Sequence, residues 1–400
     1  MSEFSFKRWE CMNYWNRKLQ EEINNAHKTY DCFAVEAKVS KSTLTDLFKY
    51  NKEVSMFSVF KMAKVLFPDR RNIHEECCIN IFDQYERNVK INMKRLFVIA
   101  YLNGYSSILK YLVDLSSSHT DYNVKKYSPL FKLFYERPRG GNPKEHLLCL
   151  EDIRKTVPKK ENLDMEIFCD ILYLLSSGDI GDFGMFDTYR DRVVTNISKI
   201  KNQDLKLLYN YWITDIWSYA LLRRLKVNEF REQNSKLMMY ENIQYFPVMS
   251  AMNNLRLGES FLFSDYQKSY DFTLKALEEL ENKCDFKYRI AINNMNFLKL
   301  IHNIEIDTIN LEQLHPAELA LYFVLKKEYL KAIEILMKLK NKNKKLTPIQ
   351  YCYLGQAKMD LDIIAESKKL FIENGDYFFA QYATKAYNDC KELLKCGGVK

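Results

Sequence analysis

Short hydroxyl and lysine side chains are concentrated in one segment near the N-terminus, and their chemistry suits contacts with nucleic acid. Ammonium and hydroxyl groups donate hydrogen bonds to phosphate oxygens and to base edges. Near the start of the second helix of a helix-turn-helix they reach both. We therefore predict that DNA is bound by Lys41, Ser42, Thr43, Thr45, Lys49 and Lys52. The alternative is that three helices pack here for a reason unrelated to DNA.

A second set of polar residues lies in the C-terminal half and suits contacts with a peptide. A side-chain amide both donates and accepts, so asparagines on neighbouring helices can clamp the backbone of an extended peptide. The candidates are Asn253, Asn254, Asn293, Asn294 and Asn296, with Tyr322 and Tyr351 as candidates to line the same groove. The alternative is that these polar residues line a solvated helical surface without a ligand.

No combination of residues in the sequence predicts catalysis or a metal centre. The six histidines are scattered, and neither a Gly-rich phosphate loop nor a GxSxG motif occurs. The ten cysteines include no CxxC pair and no zinc-ligand spacing, which indicates a reduced, cytoplasmic protein. No apolar run of about 18 residues and no apolar leader segment occurs, so membrane spanning and secretion are not predicted. We expect no enzyme activity, no metal and no cofactor.

The composition indicates which elements position these side chains. The chain has 400 residues, 47% of them hydrophobic, which is enough for a large buried core. Only 11 glycines and 8 prolines interrupt it, too few for a sandwich or barrel with a turn about every 8 to 12 residues. The net charge of +8 suits a polyanionic partner but is common in other proteins. Long helices are therefore expected.

The segment 31–68 predicts three short helices in the order of a helix-turn-helix. Ser40 is placed to cap the second of them through its side-chain oxygen, and Pro68 ends the third. Lys38 occupies the turn position for which glycine is favoured. The predicted reading helix runs over 42–50.

Helix pairs of tetratricopeptide type are predicted in the C-terminal half. The segment 318–339 contains a helix, a tight turn at 326–328 and a second helix with Ala332 at the close-packing position. A second copy follows with Ala365 as the counterpart, about 33 residues later. Looser copies are predicted in ILYLLSSGDIGDFGMFDTYRDRV and LRLGESFLFSDYQKSYDFTLKAL, with DYFFAQYATKAYNDCKELLK as C-terminal caps.

These patterns predict an all-α fold, in which an N-terminal helix-turn-helix is followed by a tetratricopeptide-like right-handed helical superhelix with C-terminal capping helices. Residues 136–145, rich in Pro, Gly and Arg, are the best linker candidate. The predicted parts are a DNA-binding domain at 1–68, linker helices and first degenerate repeats at 69–145, peptide-sensing repeats at 146–375, and capping or dimerisation helices at 376–400.

Six segments, in order along the chain, carry a resemblance to a known family. They are KMAKVLFPDR, ILYLLSSGDIGDF, LGESFLFSDYQKS, KAIEILMKL, YCYLGQAKMDLD and LFIENGDYFFAQY. With the helix-turn-helix and the repeats, they make the chain similar to the RRNPP-type peptide-sensing regulators of Gram-positive bacteria and their phages. Within that group the chain most resembles the arbitrium receptors of SPbeta-like Bacillus phages, the AimR family.

The resemblance implies a homodimeric transcriptional regulator of the lysis-lysogeny decision, acting in the bacterial host cytoplasm. Without peptide it would bind a double-stranded DNA operator, and a short communication peptide in the repeat groove would switch that binding off. Glu318 and Asp376 match acidic peptide-contacting positions of the family, which suits a ligand arginine. Val248 and Glu259 stand where relatives have an arginine and an asparagine, which implies a different cognate peptide.

A second function class stays open at this point. A repeat adaptor of the Rap type would bind a protein partner under peptide control and never contact DNA. The lysine-bearing helix favours the DNA-binding hypothesis over this one.

Overall fold

The computed structural model describes residues 3–156 and 162–397, with side chains from 14 to 395 within those ranges. The described residues form helices, and no strand occurs among them. The all-α prediction is therefore confirmed. Of the helices in these ranges, none is long and apolar enough to cross a membrane.

The first of two compact units is made of residues 1–169, 194–212 and 244–246. Its core is aromatic, with the rings of Phe97 and Phe131 stacked at 4.0 Å between centroids. The helices that lie wholly within it are α1 (Glu3–Asn25), α2 (Tyr30–Glu36), α3 (Lys41–Phe48), α4 (Met56–Leu66), α5 (Arg71–Phe82), α6 (Val89–Asn103), α7 (Ser106–Ser118), α8 (Tyr122–Lys125), α9 (Ser128–Glu136) and α10 (Pro143–Thr156).

The second unit is made of residues 170–193, 213–243 and 247–400. Three helices contribute residues to both units: α11 (Leu163–Ile180), α12 (Phe186–Ser198) and α13 (Gln203–Arg223). The helices wholly within the second unit are α14 (Val227–Met238), α15 (Pro247–Glu259), α16 (Tyr266–Leu280), α17 (Asp285–His302), α18 (Pro316–Leu325), α19 (Tyr329–Asn343), α20 (Pro348–Lys358), α21 (Leu361–Glu373) and α22 (Tyr377–Gly397).

The segment predicted as a helix-turn-helix forms α2, α3 and α4, which is the predicted order of three short helices. Ser40 caps α3, because its hydroxyl oxygen accepts a hydrogen bond from the backbone N–H of Thr43 at 3.1 Å. Lys38, between α2 and α3, has φ of +47°, the left-handed conformation that favours glycine. α3 ends at Phe48, two residues before the predicted end of the reading helix.

Consecutive helices of the second unit pack in pairs, α18 against α19 and α20 against α21. The pairs repeat after 32 residues, because α18 begins at Pro316 and α20 at Pro348. Ala332 is buried in its pair, as predicted. Its predicted counterpart is wrong by one residue, since Ile364 is buried and Ala365 is exposed. One residue turns a helix by about 100°, which moves the side chain off the packed face.

A glycine sets the close approach of α20 and α21. A Cβ added at Gly355 would lie 2.6 Å from Cγ1 of Ile364 and 2.9 Å from its backbone nitrogen. Where capping helices were predicted, one long helix, α22, packs against α20 and α21. These helices, with α15 to α18, supply most of the residues that surround the cavity described next.

Candidate functional site

The second unit contains a cavity of about 420 Å³. Its lining combines polar and aromatic side chains, which is typical of ligand sites. The charged and amide-bearing residues among its described lining are Asp179, Arg223, Glu259, Asn293, Asn294, Glu318 and Asp376. Four of these side chains are carboxylates and one is a guanidinium. The aromatic lining comes from Phe183, Tyr219, Phe297, Tyr353, Phe371 and Phe379.

Two adjacent asparagines of α17, Asn293 and Asn294, line the cavity with half-buried side chains. Neither side-chain amide makes a hydrogen bond to any other described residue. Each amide therefore offers a donor and an acceptor to whatever enters the cavity. A peptide backbone, which presents alternating N–H and C=O groups, matches that offer.

Two other predicted asparagines lie outside the cavity lining, and the amide nitrogen of each contacts a neighbouring helix. The buried Asn254 amide donates to Oε2 of Glu279 at 2.9 Å. The buried Asn253 lies with its Nδ2 at 3.7 Å from Sδ of Met238. Both are on α15 and face neighbouring helices, so the structure does not bring them together with the asparagines of α17. Their peptide-binding role stays a prediction.

The remaining predicted groove residues also divide. Glu318 and Asp376 line the cavity. Asn296 and Tyr322 are half-buried and do not, and Tyr322 instead packs against the ring of Phe323 at 5.7 Å. Tyr351 also lies outside the cavity lining. The structure thus brings together four of the nine candidates for peptide contact, Asn293, Asn294, Glu318 and Asp376.

Glu318 is held at the beginning of α18 by a histidine. Its Oε2 lies 2.7 Å from Nδ1 of His315, the residue that caps this helix. The hydrogen bond to Glu318 raises the pKa of His315, although partial burial opposes the shift. The other carboxylate oxygen of Glu318 accepts no hydrogen bond from a described residue, so this acid can pair with a cationic group of a ligand.

Arg223, the last residue of α13, is bound between two carboxylates. Its Nη2 lies 3.0 Å from Oε1 of Glu259, and its Nη1 lies 3.4 Å from Oδ2 of Asp376. Nη2 also donates to the hydroxyl of Tyr219, and the guanidinium carbon lies 4.4 Å from the ring centre of Phe379. The arginine is therefore fixed by charge, hydrogen bonding and ring contacts together.

The pKa values of this cluster follow from burial and charge. Burial alone disfavours the guanidinium, but Glu259, Tyr219 and Asp376 outweigh it and raise the pKa of Arg223. Burial raises the pKa of Asp376, while Arg223 opposes that shift. Burial also raises the pKa of Tyr219 to about 12. At neutral pH Arg223 is a cation, and Tyr219 keeps its proton.

Two buried polar atoms of the lining residues have no hydrogen-bond partner among the described residues, Nε of Arg223 and the hydroxyl of Tyr353. A buried polar group without a partner costs about 1–3 kcal/mol. With the free amides of Asn293 and Asn294, these atoms give the cavity an unused capacity for polar contacts. A ligand with backbone carbonyl groups would use it.

Sequence reasoning missed Arg223, Tyr219 and Tyr353. The one signal that pointed toward them was the carboxylate of Glu259, which pairs with Arg223. Val248, the other residue singled out from the resemblance, is buried in an apolar cluster and does not line the cavity.

The predicted DNA-binding residues lie on or beside α3. Lys41 forms an exposed ion pair with Asp31 at 2.8 Å, and Lys52 forms one with Asp46 at 3.0 Å. Exposed pairs of this kind contribute little stability, so phosphate groups can replace the carboxylates at small cost. Lys49 is exposed, with its ammonium 5.3 Å from the ring centre of Tyr50.

The three predicted hydroxyl residues are at the N-terminal end and first turns of α3. The hydroxyls of Ser42 and Thr43 each lie 2.8 Å from that of Ser40. The hydroxyl of Thr45 donates to the backbone C=O of Lys41 at 3.1 Å. Contacts this local leave acceptor lone pairs for other donors. Their role in DNA binding stays a prediction.

The fold and the site define an all-helical repeat protein that carries a helix-turn-helix segment and a polar cavity. Its sequence assigns it more closely. The chain belongs to the AimR transcriptional regulator-like family, whose sequence profile matches residues 79–387. The resemblance stated from the sequence is thereby confirmed. The helix-turn-helix segment precedes the matched residues.

Comparisons with individual proteins agree with the family. The uncharacterized protein pXO2-35 of Bacillus anthracis is 28% identical over 254 residues, which are 62% of this chain and 92% of the relative. The phAimR–ligand structure superposes with a TM-score of 0.69 at 16% identity and covers 84% of this chain and 98% of its own. Selenomethionine phAimR superposes with a TM-score of 0.60 at 16% identity, covering 95% and 99%. At this identity the structures establish a shared fold.

Proposed function

We propose that this protein is a phage-encoded transcriptional regulator of the lysis-lysogeny decision that binds an operator through α3 and acts as a homodimer in the host cytoplasm. A short arbitrium-type peptide in the cavity of the second unit switches operator binding off. The observation that carries the proposal is the pair of unbonded amides of Asn293 and Asn294, in one cavity with the carboxylate of Glu318.

Two further observations support the peptide as ligand class. The cavity volume lies within the range of about 300–1,000 Å³ for sites that enclose small ligands. Its unused polar atoms are amides, a hydroxyl and one guanidinium N–H, which suit the neutral carbonyls and amides of a backbone. Membership of a transcriptional regulator family supports the link from ligand to gene control.

The proposed peptide binding is tested by calorimetry on the full chain, with short synthetic peptides encoded just downstream of the gene. For a peptide that binds, Asn293→Ala and Asn294→Ala should each weaken binding about tenfold, because each removes hydrogen bonds worth about 1 kcal/mol or more. The matched control is Asn80→Ala, which removes a half-buried asparagine of α5 in the first unit. Undiminished binding by both cavity variants would place the peptide elsewhere.

The proposed operator binding is tested by fluorescence anisotropy with duplexes from the region flanking the gene. Binding should weaken steeply with salt, and Lys49→Ala should reduce the slope of log K against log salt by about one. Lys110→Ala, an exposed lysine of α7, is the control. If Lys41→Ala combined with Thr43→Ala keeps full operator affinity, α3 is not the reading helix.

The peptide-binding and DNA-binding measurements together distinguish a DNA-binding regulator from a Rap-like adaptor. A bound peptide that releases DNA supports the regulator. Peptide binding by a chain that binds no duplex would favour the Rap-like adaptor instead, and capture of a protein partner would then be the next measurement. Light scattering of the free and peptide-bound chain measures whether the homodimer forms and whether peptide dissociates it.

A further inference from the structure

We propose that the second unit carries a binding surface for the phosphate backbone of duplex DNA at the C-terminal end of α19, separate from α3 and indifferent to base sequence. Four lysines form this surface, the α19 lysine cluster: Lys340, Lys342, Lys344 and Lys345. The surface acts through charge alone, so it depends neither on operator recognition nor on a peptide.

Most of the net charge of the chain is concentrated in α19 and the residues that flank it. Residues 326–345 contain eight lysines, two glutamates and no other charged residue, which gives this segment a net charge of +6. The whole chain carries +8, so the rest of the chain contributes only +2. A local excess of one sign attracts polyanions more strongly than the same charge spread over the whole surface.

The ammonium groups of the α19 lysine cluster are available to a partner. All four side chains are exposed, and none makes an ion pair or a hydrogen bond with a residue that the structure describes. Other lysines of the segment differ, since Lys326 pairs with Asp307 at 2.7 Å and Lys338 pairs with Glu334 at 2.6 Å. Phosphate groups can therefore bind the cluster without breaking an internal pair.

The helix dipole accounts for only a small part of this charge. The C-terminal end of a helix carries roughly half a negative elementary charge, whereas the cluster places four full positive charges around the last residue of α19, Asn343. The next helix, α20, begins at Pro348, and the positive end of its dipole opposes even that contribution. Most of the charge of the cluster is therefore left for an external anion.

Duplex DNA suits this surface better than a membrane does. Lysine pairs with phosphate as a point charge, and a duplex presents one phosphate about every 1.7 Å along its axis, so neighbouring lysines can each meet one. Insertion into a lipid surface needs a continuous apolar face beside the basic one. The exposed large apolar side chains of α19 are Leu330 and Met337, and the ion-paired residues Lys331 and Glu334 lie between them along the helix.

The proposal is tested on the full chain by fluorescence anisotropy with a duplex of scrambled sequence at several salt concentrations. Each lost phosphate contact reduces the slope of log K against log salt by about 0.9, so removal of the cluster should reduce it by about 2 to 3.6. The test variant is Lys340→Gln/Lys342→Gln/Lys344→Gln/Lys345→Gln. Replacement of the same four residues by arginine should keep the wild-type slope, because the charge is kept.

The matched control removes the same charge from exposed lysines that are dispersed over four other helices, and it should keep the wild-type slope. It is Lys110→Gln/Lys155→Gln/Lys236→Gln/Lys369→Gln. Thermal unfolding checks that each variant is folded. If the cluster variant does not fold, Lys344→Gln/Lys345→Gln replaces it, with an expected reduction of the slope by about 1 to 1.8.

Three results would overturn the proposal. The first is a wild-type chain that does not bind the scrambled duplex, and the second is a slope that falls equally in the cluster variant and the dispersed control, or in neither. The third is binding to phosphatidylserine vesicles that the cluster variant loses while its binding of the duplex is unchanged, which would assign the surface to a membrane.

The proposed operator binding can fail independently. The cluster variant should lower the affinities for operator and scrambled duplex by the same factor, which keeps their ratio. Lys41→Ala combined with Thr43→Ala should instead lower that ratio. A chain without any operator preference whose cluster variant still loses salt dependence would contradict the proposed function and support the phosphate-binding surface.

Discussion

Protonation of one buried histidine should set the acid stability of the first unit. His74 on α5 is 1% exposed. Its Nε2 lies 2.7 Å from the backbone C=O of Phe67, directly after α4, and its Nδ1 lies 3.0 Å from the hydroxyl of Tyr105. A carbonyl only accepts, so Nε2 carries the proton and Nδ1 accepts from the phenol. The neutral ring thus fastens the end of the helix-turn-helix to the next helices.

The size of this loss of stability follows from the pKa of His74. Burial, assisted by the charge of Lys64, lowers the pKa of His74 to about 4, whereas the unfolded chain has the ordinary value near 6.5. Between these values the unfolded state binds the proton and the folded state does not. Stability is therefore fully present above about pH 6.5 and is lost as the pH falls toward 4, by about 2.5 kcal/mol at about pH 4.5.

Urea unfolding of the wild type and of His74→Gln, near pH 7.5 and near pH 4.5, isolates this contribution. Other groups titrate in both proteins, so the readout is the difference between their losses of unfolding free energy. The wild type should lose about 2.5 kcal/mol more than the variant, whose amide stays neutral. Equal losses, or a normal titration of the His74 ring by NMR, would refute the reasoning.

Three further predictions concern local structure and are measured as the free energy of unfolding. Glu53→Gln should cost about 1–2 kcal/mol at neutral pH, because that carboxylate accepts from three consecutive backbone N–H groups at 86–88. Burial raises the pKa of Glu53, but these hydrogen bonds outweigh it and lower the pKa. The stability difference between wild type and variant should therefore vanish as the pH falls through that lowered pKa. A difference that does not change with pH would contradict this. Gly355→Ala should lower the free energy of unfolding by about 1–3 kcal/mol. A Cβ at Gly178 would have its nearest contact at 3.6 Å, so Gly178→Ala should be neutral or stabilising by up to about 1 kcal/mol. A change of the same sign in both variants would be inconsistent with the packing. Lys38→Gly should raise the free energy of unfolding by up to about 1 kcal/mol, because glycine adopts the positive φ of this residue without strain. A measured loss of stability would contradict this.

The helix-turn-helix could be predicted because its determinants are local. Ser40 caps a helix that begins at the next residue, and the left-handed turn at Lys38 lies two residues before it. Capping and turn geometry depend on neighbours within about four residues, which a sequence displays directly. The end of α3 was less accurate, since exposed helix ends depend on weak interactions that the pattern does not reveal.

The repeat register was wrong by one residue, because the sequence does not show which face of the helix packs. Ala365 was preferred to Ile364 because small residues mark close packing, yet here Gly355 on the facing helix provides the space and the larger side chain fills it. Asn253 and Asn254 have the same chemistry as the asparagines of α17. Only the structure shows that the amide nitrogens of Asn253 and Asn254 contact neighbouring helices, whereas the amides of Asn293 and Asn294 line the cavity.

Arg223 could not be assigned from the sequence, and the reason bears on how the site is read. An arginine in the last turn of a helix is commonly explained by the helix dipole, and its partner Asp376 is 153 residues away in the chain. Asp376 by itself also suggests a contact with a ligand arginine. The structure replaces both interpretations with one. Asp376 already pairs with Arg223, and Arg223 is buried in this pair, so the helix dipole alone does not explain it. Glu259 completes the pairing through its Oε1, which lies 3.0 Å from Nη2 of Arg223. Glu259 and Asp376 therefore line the cavity as partners of an internal cation, a pairing that neither position reveals by itself.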